Sequence, residues 1–226
     1  MAYVHKQGVN RHIYILSGLG ADERAFARMD WGELEVHHIS WLPVKRGDDF
    51  QVYVKQLAAF ITEPHFILLG MSFGGMIAQE IAKLKKPDQL ILISSFKGHW
   101  ELPWRYRFIM MMRIDAMLRP SMFKQTSGVA QWFFGTKQKR NDGKLLKRII
   151  DDTNEDFIAW ALHPIVVWRG NKEIPTISIH GSNDRLIPIA KVQADYIIQH
   201  GGHFMVYNHA DEISAIVQDV CRESAT

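Results

Sequence analysis

The chain has a single cysteine, Cys221, so it cannot form a disulfide within itself. A zinc module built on several cysteines is excluded for the same reason. One free thiol is typical of proteins from a reducing compartment, so we expect a cytoplasmic location. Glycine and proline are not abundant, with 16 and 8 residues among 226, whereas 47% of the residues are hydrophobic. This composition excludes collagen-like and disordered chains and favours one globular core.

Long hydrophobic runs and a strong charge imbalance are also missing. No stretch reaches the roughly 18 apolar residues that a membrane span needs. The short apolar run at residues 13–21 is interrupted by Gly18 and Gly20 and lacks a small-residue cleavage site, so we do not expect a signal peptide. The net charge is only +3, and no basic helix or aromatic RNA-binding motif stands out. We therefore expect no nucleic-acid partner.

Short apolar, β-branched runs alternate with longer helical patterns along most of the chain. Strands are predicted at residues 12–16, 36–39, 66–69, 90–93, 177–180 and 195–199. Apolar residues at helical spacing predict helices at residues 50–61, 77–84 and 213–221, and they place Cys221 on an apolar stripe as a core residue. Near-continuous apolar strands indicate a mainly parallel sheet covered by helices on both faces. The predicted class is therefore α/β, with about six strands.

The alternation stops at about residue 97 and resumes at about residue 166. Helix-like segments at 103–118, 122–134 and 144–162 follow one another without a strand. We expect a helical cap at residues 97–165, inserted into a core formed by residues 1–96 and 166–226. The cap segment contains 12 Lys and Arg against 7 Asp and Glu. Such a basic cap could steer an anionic substrate, or it could be a solvated face.

The strongest local pattern is Gly-x-Ser-x-Gly at residues 70–74, between a predicted strand and a predicted helix. A serine in this context lies on a tight, strained turn, and the small residues on either side let two backbone segments come close together. The turn lifts the Ser72 hydroxyl off the sheet at a helix N-terminus, where unpaired N–H groups favour a developing negative charge. The pattern predicts a nucleophile at Ser72; the alternative is a serine that merely caps the helix.

A serine hydroxyl needs a general base, and the chain has eleven histidines. His203 follows two glycines just after the last predicted strand and is the best placed, with His200 and His209 as the nearest alternatives. The base needs a carboxylate to orient it, and Asp184 lies in a turn after the fifth predicted strand. The alternative for Asp184 is an aspartate that stabilises its own turn. The chain order Ser72, Asp184, His203 is the one expected for this class of sheet enzyme.

Acyl transfer also needs hydrogen-bond donors for the oxyanion. We expect these to be the backbone N–H groups of Phe73, which follows the nucleophile, and Leu19, in the loop at residues 17–21. The loop begins like a dinucleotide fingerprint, but Glu23 stands where the third glycine would be. We therefore expect no cofactor, and no metal in the site.

Together these motifs resemble the α/β-hydrolase superfamily over nearly the whole chain. The serine turn at 70–74, the His-Gly pattern at 180–184 with its aspartate and following proline, and the Gly-Gly-His loop at 201–203 match its three site motifs. The resemblance implies hydrolysis of esters, thioesters or related acyl bonds without a cofactor, with Ser72 as nucleophile, His203 as base and Asp184 as its orienter. The family usually has His-Gly at the oxyanion loop where this chain has Ser17 and Gly18, so the loop needs a different support.

The cap is rich in methionine and tryptophan, which suits an apolar acyl or aryl group. We expect a pocket lined by Met71, Trp104, Met111 and Trp132; the alternative is that such residues only fix the cap to the core. The predicted function is a serine carboxylesterase that acts on a small, apolar ester or thioester. A lyase or C–C bond hydrolase with the same triad, and a non-catalytic ligand receptor, stay open as alternatives. The sequence does not indicate an oligomeric state.

Overall fold

The computed structural model describes residues 11–103 and 140–223. Its six strands are all parallel and form one sheet in the order β2-β1-β3-β4-β5-β6. They are β1 (Arg11–Leu16), β2 (Leu34–His38), β3 (Phe66–Met71), β4 (Gln89–Ile93), β5 (Ile177–Gly181) and β6 (Tyr196–Ile198). The predicted α/β class and the parallel sheet of about six strands are confirmed.

Helices cover both faces of this sheet. They are α1 (Phe50–Ala58), α2 (Phe73–Leu84), α3 (Arg140–Asp152), α4 (Glu155–Val167), α5 (Met205–Asn208) and α6 (Ala210–Glu223). Along β1, Tyr14 and Leu16 belong to a core cluster shared with α1 and α2, whereas Ile13 and Ile15 belong to a second cluster shared with α6. This alternation is what a strand buried on both faces requires. None of the helices in the described ranges is long and apolar enough to cross a membrane.

The apolar stripe predicted for the C-terminal helix is confirmed in α6. Ile213, Val217, Val220 and Cys221 are buried. Burial raises the pKa of the Cys221 thiol to about 11, so the thiol stays protonated and unreactive at neutral pH. Cys221 is therefore a core residue, as its position in the stripe predicts.

The helical segment predicted at 144–162 is in fact two helices, because the chain turns at Thr153 and Asn154. The Asn154 side chain accepts hydrogen bonds from the backbone N–H groups of Asp156 (2.7 Å) and Phe157 (3.2 Å). This is an N-cap, which satisfies donors that the first turn of α4 would leave unpaired. The capping residue was present in the sequence, but the continuous apolar pattern hid it.

Part of the predicted cap at 97–165 lies outside the described residues, including its first two predicted helices apart from Pro103. The described part packs against both faces of the sheet. Leu146 and Ile149 of α3 are buried in the cluster shared with α6, and Trp160 of α4 is buried in the cluster shared with α1 and α2. The Trp160 indole N–H also donates to the Asp48 carbonyl at 2.8 Å. Burial of each such large side chain stabilises the fold by about 1.5–3 kcal/mol, so α3 and α4 are firmly attached.

Candidate active site

Ser72 is the single residue between the end of β3 and the start of α2. Its backbone adopts φ 52° and ψ −118°, a conformation that non-glycine residues rarely adopt and that costs on the order of 1–3 kcal/mol. Two contacts hold it there: the Ser72 N–H donates to the Ile93 carbonyl at 3.0 Å, and the Ser95 hydroxyl donates to the Ser72 carbonyl at 2.7 Å. The Ser72 hydroxyl accepts no hydrogen bond from the backbone N–H groups of α2, so it does not cap this helix. The turn presents this hydroxyl at the carboxyl edge of the sheet.

The glycines on either side of Ser72 are required by close backbone contacts. A Cβ atom on Gly70 would lie 2.5 Å from the Gly74 carbonyl oxygen, and one on Gly74 would lie 2.2 Å from the Ser17 carbonyl oxygen. Real Cβ atoms do not come so close to backbone, so any side chain at either position would force the turn open. The expected close approach of the backbone segments is therefore present.

The structure brings the side chains of Ser72, His203 and Asp184 into one hydrogen-bonded chain. His203 Nε2 lies 2.9 Å from the Ser72 hydroxyl, and His203 Nδ1 lies 2.7 Å from Asp184 Oδ2. The side chains of His203 and Asp184 are fully buried. A carboxylate can only accept a hydrogen bond, so the neutral imidazole carries its proton on Nδ1 and offers Nε2 to the serine. The alternatives His200 and His209 lie outside this chain of contacts.

Asp184 divides its two oxygens between its own turn and His203. Its Oδ1 accepts hydrogen bonds from the backbone N–H groups of Leu186 (2.9 Å) and Ile187 (2.8 Å), while Oδ2 faces the imidazole. The turn-stabilising contact and the contact with His203 are thus both present. Burial alone would raise the pKa of Asp184, but attraction to the protonated form of His203 and the hydrogen bonds from His203 and Ile187 hold that pKa below its ordinary value. The carboxylate is therefore ionised at neutral pH.

A second histidine, His180, lies beside this carboxylate at the end of β5. Its Nε2–H donates to the Ile187 carbonyl at 2.7 Å and lies 3.5 Å from Asp184 Oδ2. Burial lowers the pKa of His180, although the charge of Asp184 acts against it, so the ring is neutral at pH 7. His180 is not among the bases predicted from the sequence, because it lies inside the strand predicted at residues 177–180. Its position four residues before Asp184 was the signal that the two side chains would meet.

The loop at residues 17–21 lies against the Ser72 turn and has its own support. The Ala21 carbonyl accepts hydrogen bonds from the Ser17 hydroxyl (2.7 Å) and from the indole N–H of Trp41 (3.1 Å). The Ala21 N–H donates to the Gly18 carbonyl at 3.0 Å, which closes the turn. A Cβ atom on Gly18 would lie 3.4 Å from the Ser72 Cβ. Ser17 thus supports the loop through its hydrogen bond to the Ala21 carbonyl. Trp41 gives a second support, which the sequence did not reveal.

The two predicted oxyanion donors lie on two segments that meet at Ser72, namely the start of α2 and the loop at residues 17–21. Phe73 is the first residue of α2, where a backbone N–H has no partner within the helix. Leu19 is in the turn that the hydrogen bond between Ala21 and Gly18 closes. Both backbone groups are therefore on the two segments that flank the serine.

Aromatic rings surround Phe73 on the side of the sheet that α4 covers. Its ring centroid is 5.5 Å from that of Trp41 and 6.1 Å from that of Phe157, and the rings of Trp41 and Phe157 are 5.1 Å apart. Such tilted and edge-on arrangements are favourable for aromatic pairs. The sequence did not indicate Trp41 and Phe157 as neighbours of the site.

None of the four predicted pocket residues is found lining a pocket in the described part of the chain. Met71 is 1% exposed and packs in the core cluster shared with α6, so it offers almost no surface to a substrate. Trp104, Met111 and Trp132 lie outside the described residues. In the described part of the chain, metal-ligating side chains meet in a group of three at His12, Glu35 and His37. Within this group, His12 pairs with Phe66, the first residue of β3, whereas Ser72 follows the last residue of that strand.

Comparison with known proteins identifies one family and many solved structures with a similar fold. The profile described as "Alpha/beta hydrolase family" matches residues 6–216. No curated protein sequence matches the chain. The solved structures that resemble it have low sequence identity, so their likeness concerns the fold.

Three of these structures illustrate the range. MenH from S. aureus superposes with a TM-score of 0.73 at 16% identity, with 96% of this chain and 95% of that one covered. A thermophilic esterase from Thermogutta terrifontis gives 0.66 at 13% identity, with 96% and 91% covered. The meta-cleavage product hydrolase from Pseudomonas fluorescens IP01 gives 0.68 at 12% identity, with 95% and 91% covered.

Proposed function

The chain belongs to the alpha/beta hydrolase family, and we propose that it is a serine hydrolase that cleaves a small carboxylic ester or thioester. The observation that carries the proposal is the continuous hydrogen-bonded chain from the Ser72 hydroxyl through His203 to Asp184. An isolated serine hydroxyl is a weak nucleophile at neutral pH. A neutral imidazole 2.9 Å away, fixed in the correct tautomer by a buried carboxylate, is what activates it.

In the proposed acylation step, the Ser72 oxygen attacks the carbonyl carbon of the substrate while His203 Nε2 takes the hydroxyl proton. The carbonyl π electrons move to the oxygen, and the backbone N–H groups of Phe73 and Leu19 donate hydrogen bonds to that oxyanion. The tetrahedral intermediate then collapses, and the bond to the alcohol or thiol breaks. The leaving group takes the proton from His203, so the imidazole is neutral again and Ser72 carries the acyl group.

Deacylation repeats these steps with water as the nucleophile. His203 removes a proton from water as the water oxygen attacks the acyl carbon, and it then returns that proton to the Ser72 oxygen as the ester bond breaks. Asp184 stays ionised throughout and stabilises the imidazolium that forms in each half-reaction. The products are a carboxylic acid and the alcohol or thiol, and no cofactor is consumed.

An apolar acyl or aryl group is the proposed preference of this site. Trp41 is partly exposed beside the loop at residues 17–21, and the buried rings of Phe73 and Phe157 pack behind it. Helix α4, in the described part of the predicted cap at 97–165, supplies Phe157. An apolar group gains the most from contact with the exposed part of the Trp41 ring, since it gives up no hydrogen bonds to water.

The test is a substrate panel: p-nitrophenyl esters of increasing acyl length, and an acyl thioester, measured with the wild type, Ser72→Ala and Ser40→Ala. Ser40 is exposed and makes a matched control. We expect ester turnover that rises with acyl length, that falls by about 10⁴-fold or more in Ser72→Ala, and that Ser40→Ala leaves unchanged. Equal turnover in Ser72→Ala would overturn the proposal. A folded protein that cleaves none of these substrates would instead direct attention to a lyase, a C–C bond hydrolase or a ligand receptor.

A further inference from the structure

Three potential metal ligands meet on the paired strands β1 and β2, away from Ser72. The strand register pairs His12 with Glu35, and Tyr14 with His37, so these side chains share one face of the sheet. His12 Nδ1 lies 3.0 Å from His37 Nε2. One oxygen of Glu35 lies 3.7 Å from His12 Nδ1, and its other oxygen lies 3.7 Å from His37 Nε2. Two imidazole nitrogens and a carboxylate therefore converge on one point.

These separations are close to those of donors around a single ion. Nitrogen and oxygen ligands of zinc lie at about 2.0–2.2 Å from the metal, which puts neighbouring ligands roughly 3–3.6 Å apart in a tetrahedral site. The nitrogens of His12 and His37 already meet this condition, and Glu35 needs only a small rotation of an exposed side chain. The two nitrogens and the carboxylate leave a fourth position for water.

Neighbouring side chains hold both imidazole rings in place. Glu63 Oε2 lies 3.9 Å from His12 Nε2, the ring nitrogen that does not face His37, so a small side-chain movement would bring the two within hydrogen-bond distance. A carboxylate behind a metal-bound histidine is the usual arrangement that fixes its tautomer. The His37 ring is stacked on Tyr14, with centroids 4.6 Å apart and planes at 19°. Both histidines are thus oriented before any ion arrives.

We propose that His12, Glu35 and His37 form a zinc-binding site that fastens edge strand β2 to β1. Two imidazoles and one carboxylate suit zinc or another late first-row metal, whereas calcium and magnesium prefer sites made of oxygen alone. The side chains are 22%, 48% and 33% exposed, in the order His12, Glu35, His37, so an ion can enter from solvent. The strand register, which the sequence does not display, is what joins the ligands.

This site is structural. The serine turn follows the carboxyl end of β3, whereas His12 pairs with Phe66 at the first residue of that strand. An ion bound there stabilises the folded chain in proportion to its occupancy and does not reach the ester carbonyl. The inference is therefore independent of the proposed hydrolase chemistry.

The experiment is zinc titration of tag-free, EDTA-treated protein by calorimetry, together with thermal unfolding with and without about 0.1 mM zinc. We expect one equivalent of zinc to bind and to raise the Tm by several degrees, and magnesium to have no such effect. His37→Gln should remove both signals. His65→Gln is the matched control, because His65 is an exposed histidine just before β3, at the same end of the sheet.

Two further variants keep the test decisive if His37→Gln folds poorly. Glu35→Gln removes a ligand from an exposed side chain and should abolish or strongly weaken binding. Glu63→Gln removes only the carboxylate behind His12 and should weaken binding by about tenfold or more. Absence of zinc binding by the wild type would overturn the proposal, and so would binding by Glu35→Gln and His37→Gln that is as strong as that of the wild type.

Discussion

The Nε2 atom of His203 lies 2.9 Å from the Ser72 hydroxyl, although 131 positions separate the two residues in the chain. The parallel sheet explains this contact, because Ser72 follows the end of β3 and the loop of His203 follows the end of β6. Carboxyl ends of parallel strands lie at the same edge of the sheet, where loops from distant parts of the chain meet.

Asp184→Asn should lower kcat by about 10⁴-fold for the best p-nitrophenyl ester of the panel. The asparagine oxygen can still accept the N–H groups of Leu186 and Ile187, so the turn should persist. Its amide group, however, donates toward His203 Nδ1 and puts the imidazole proton on Nε2, where it blocks the serine. Circular dichroism serves as the folding control. A loss of less than tenfold in a folded variant would show that Asp184 does not set the tautomer.

Acid should remove a specific contribution of Asp184 to stability. The pKa of Asp184 in the folded protein is held below its ordinary value of 3.8 by the charge and hydrogen bond of His203, which outweigh burial. Between the folded-state pKa and 3.8, the unfolded chain binds a proton that the folded chain does not, so stability falls as pH falls. The contribution is complete above this range.

Urea unfolding from about pH 5 to about pH 3 measures this effect when wild type and Asp184→Asn are compared. The free energy of unfolding should fall more steeply with acid in the wild type than in the variant, which has no carboxylate to protonate at this position. Parallel curves for the two proteins would contradict the assigned pKa direction.

Loss of the loop support should reduce catalysis without unfolding the protein. Ser17→Ala and Trp41→Phe each remove one donor to the Ala21 carbonyl, and we expect about a tenfold loss in kcat for each. The double variant should approach the loss of about 10²–10³-fold that follows removal of an oxyanion donor. The measurement is kcat and KM on one ester, and an effect on KM alone would contradict a role in positioning the oxyanion donors.

Gly74→Ala should destabilise the protein by more than about 3 kcal/mol or prevent folding. The added Cβ would lie 2.2 Å from the Ser17 carbonyl oxygen and 2.4 Å from that of Leu16, and backbone atoms cannot move aside cheaply. Gly47→Ala is the control: nothing lies within 4 Å of its added Cβ, and its φ of 102° leaves a cost of about 1–2 kcal/mol. Urea unfolding compares them. Equal losses would mean that the contact at Gly74 relaxes easily.

Much of the fold could be predicted because strands buried on both faces are apolar along their whole length. The strands β3, β4 and β5 are short apolar runs, and each predicted strand has a counterpart in the sheet. The break between α3 and α4 was missed, because the apolar spacing continues through it and the cap at Asn154 is a local polar effect. Periodicity reports which face is buried and is a weaker guide to where an element ends.

The candidate site likewise contains residues that could be predicted from the sequence and residues that could not. Ser72, Asp184 and His203 stand in local motifs that turns and strand ends impose, so sequence reasoning could select them. Trp41 could not be selected, because its contact with Ala21 depends on how separate segments pack. His180 lies only four residues before Asp184, a local signal that the search for a base did not use. The cluster of His12 with His37 depends on strand register and was missed for that reason.

Covalent labelling of the native protein with an alkyl fluorophosphonate, which reacts with activated serine hydroxyls, tests most directly whether His203 activates Ser72. Mass spectrometry of the digested product should find one adduct, on Ser72, with labelling abolished in Ser72→Ala and strongly slowed in His203→Gln. A folded wild-type protein that stays unlabelled, or an adduct that persists in Ser72→Ala, would contradict the claim that His203 activates Ser72 as a nucleophile.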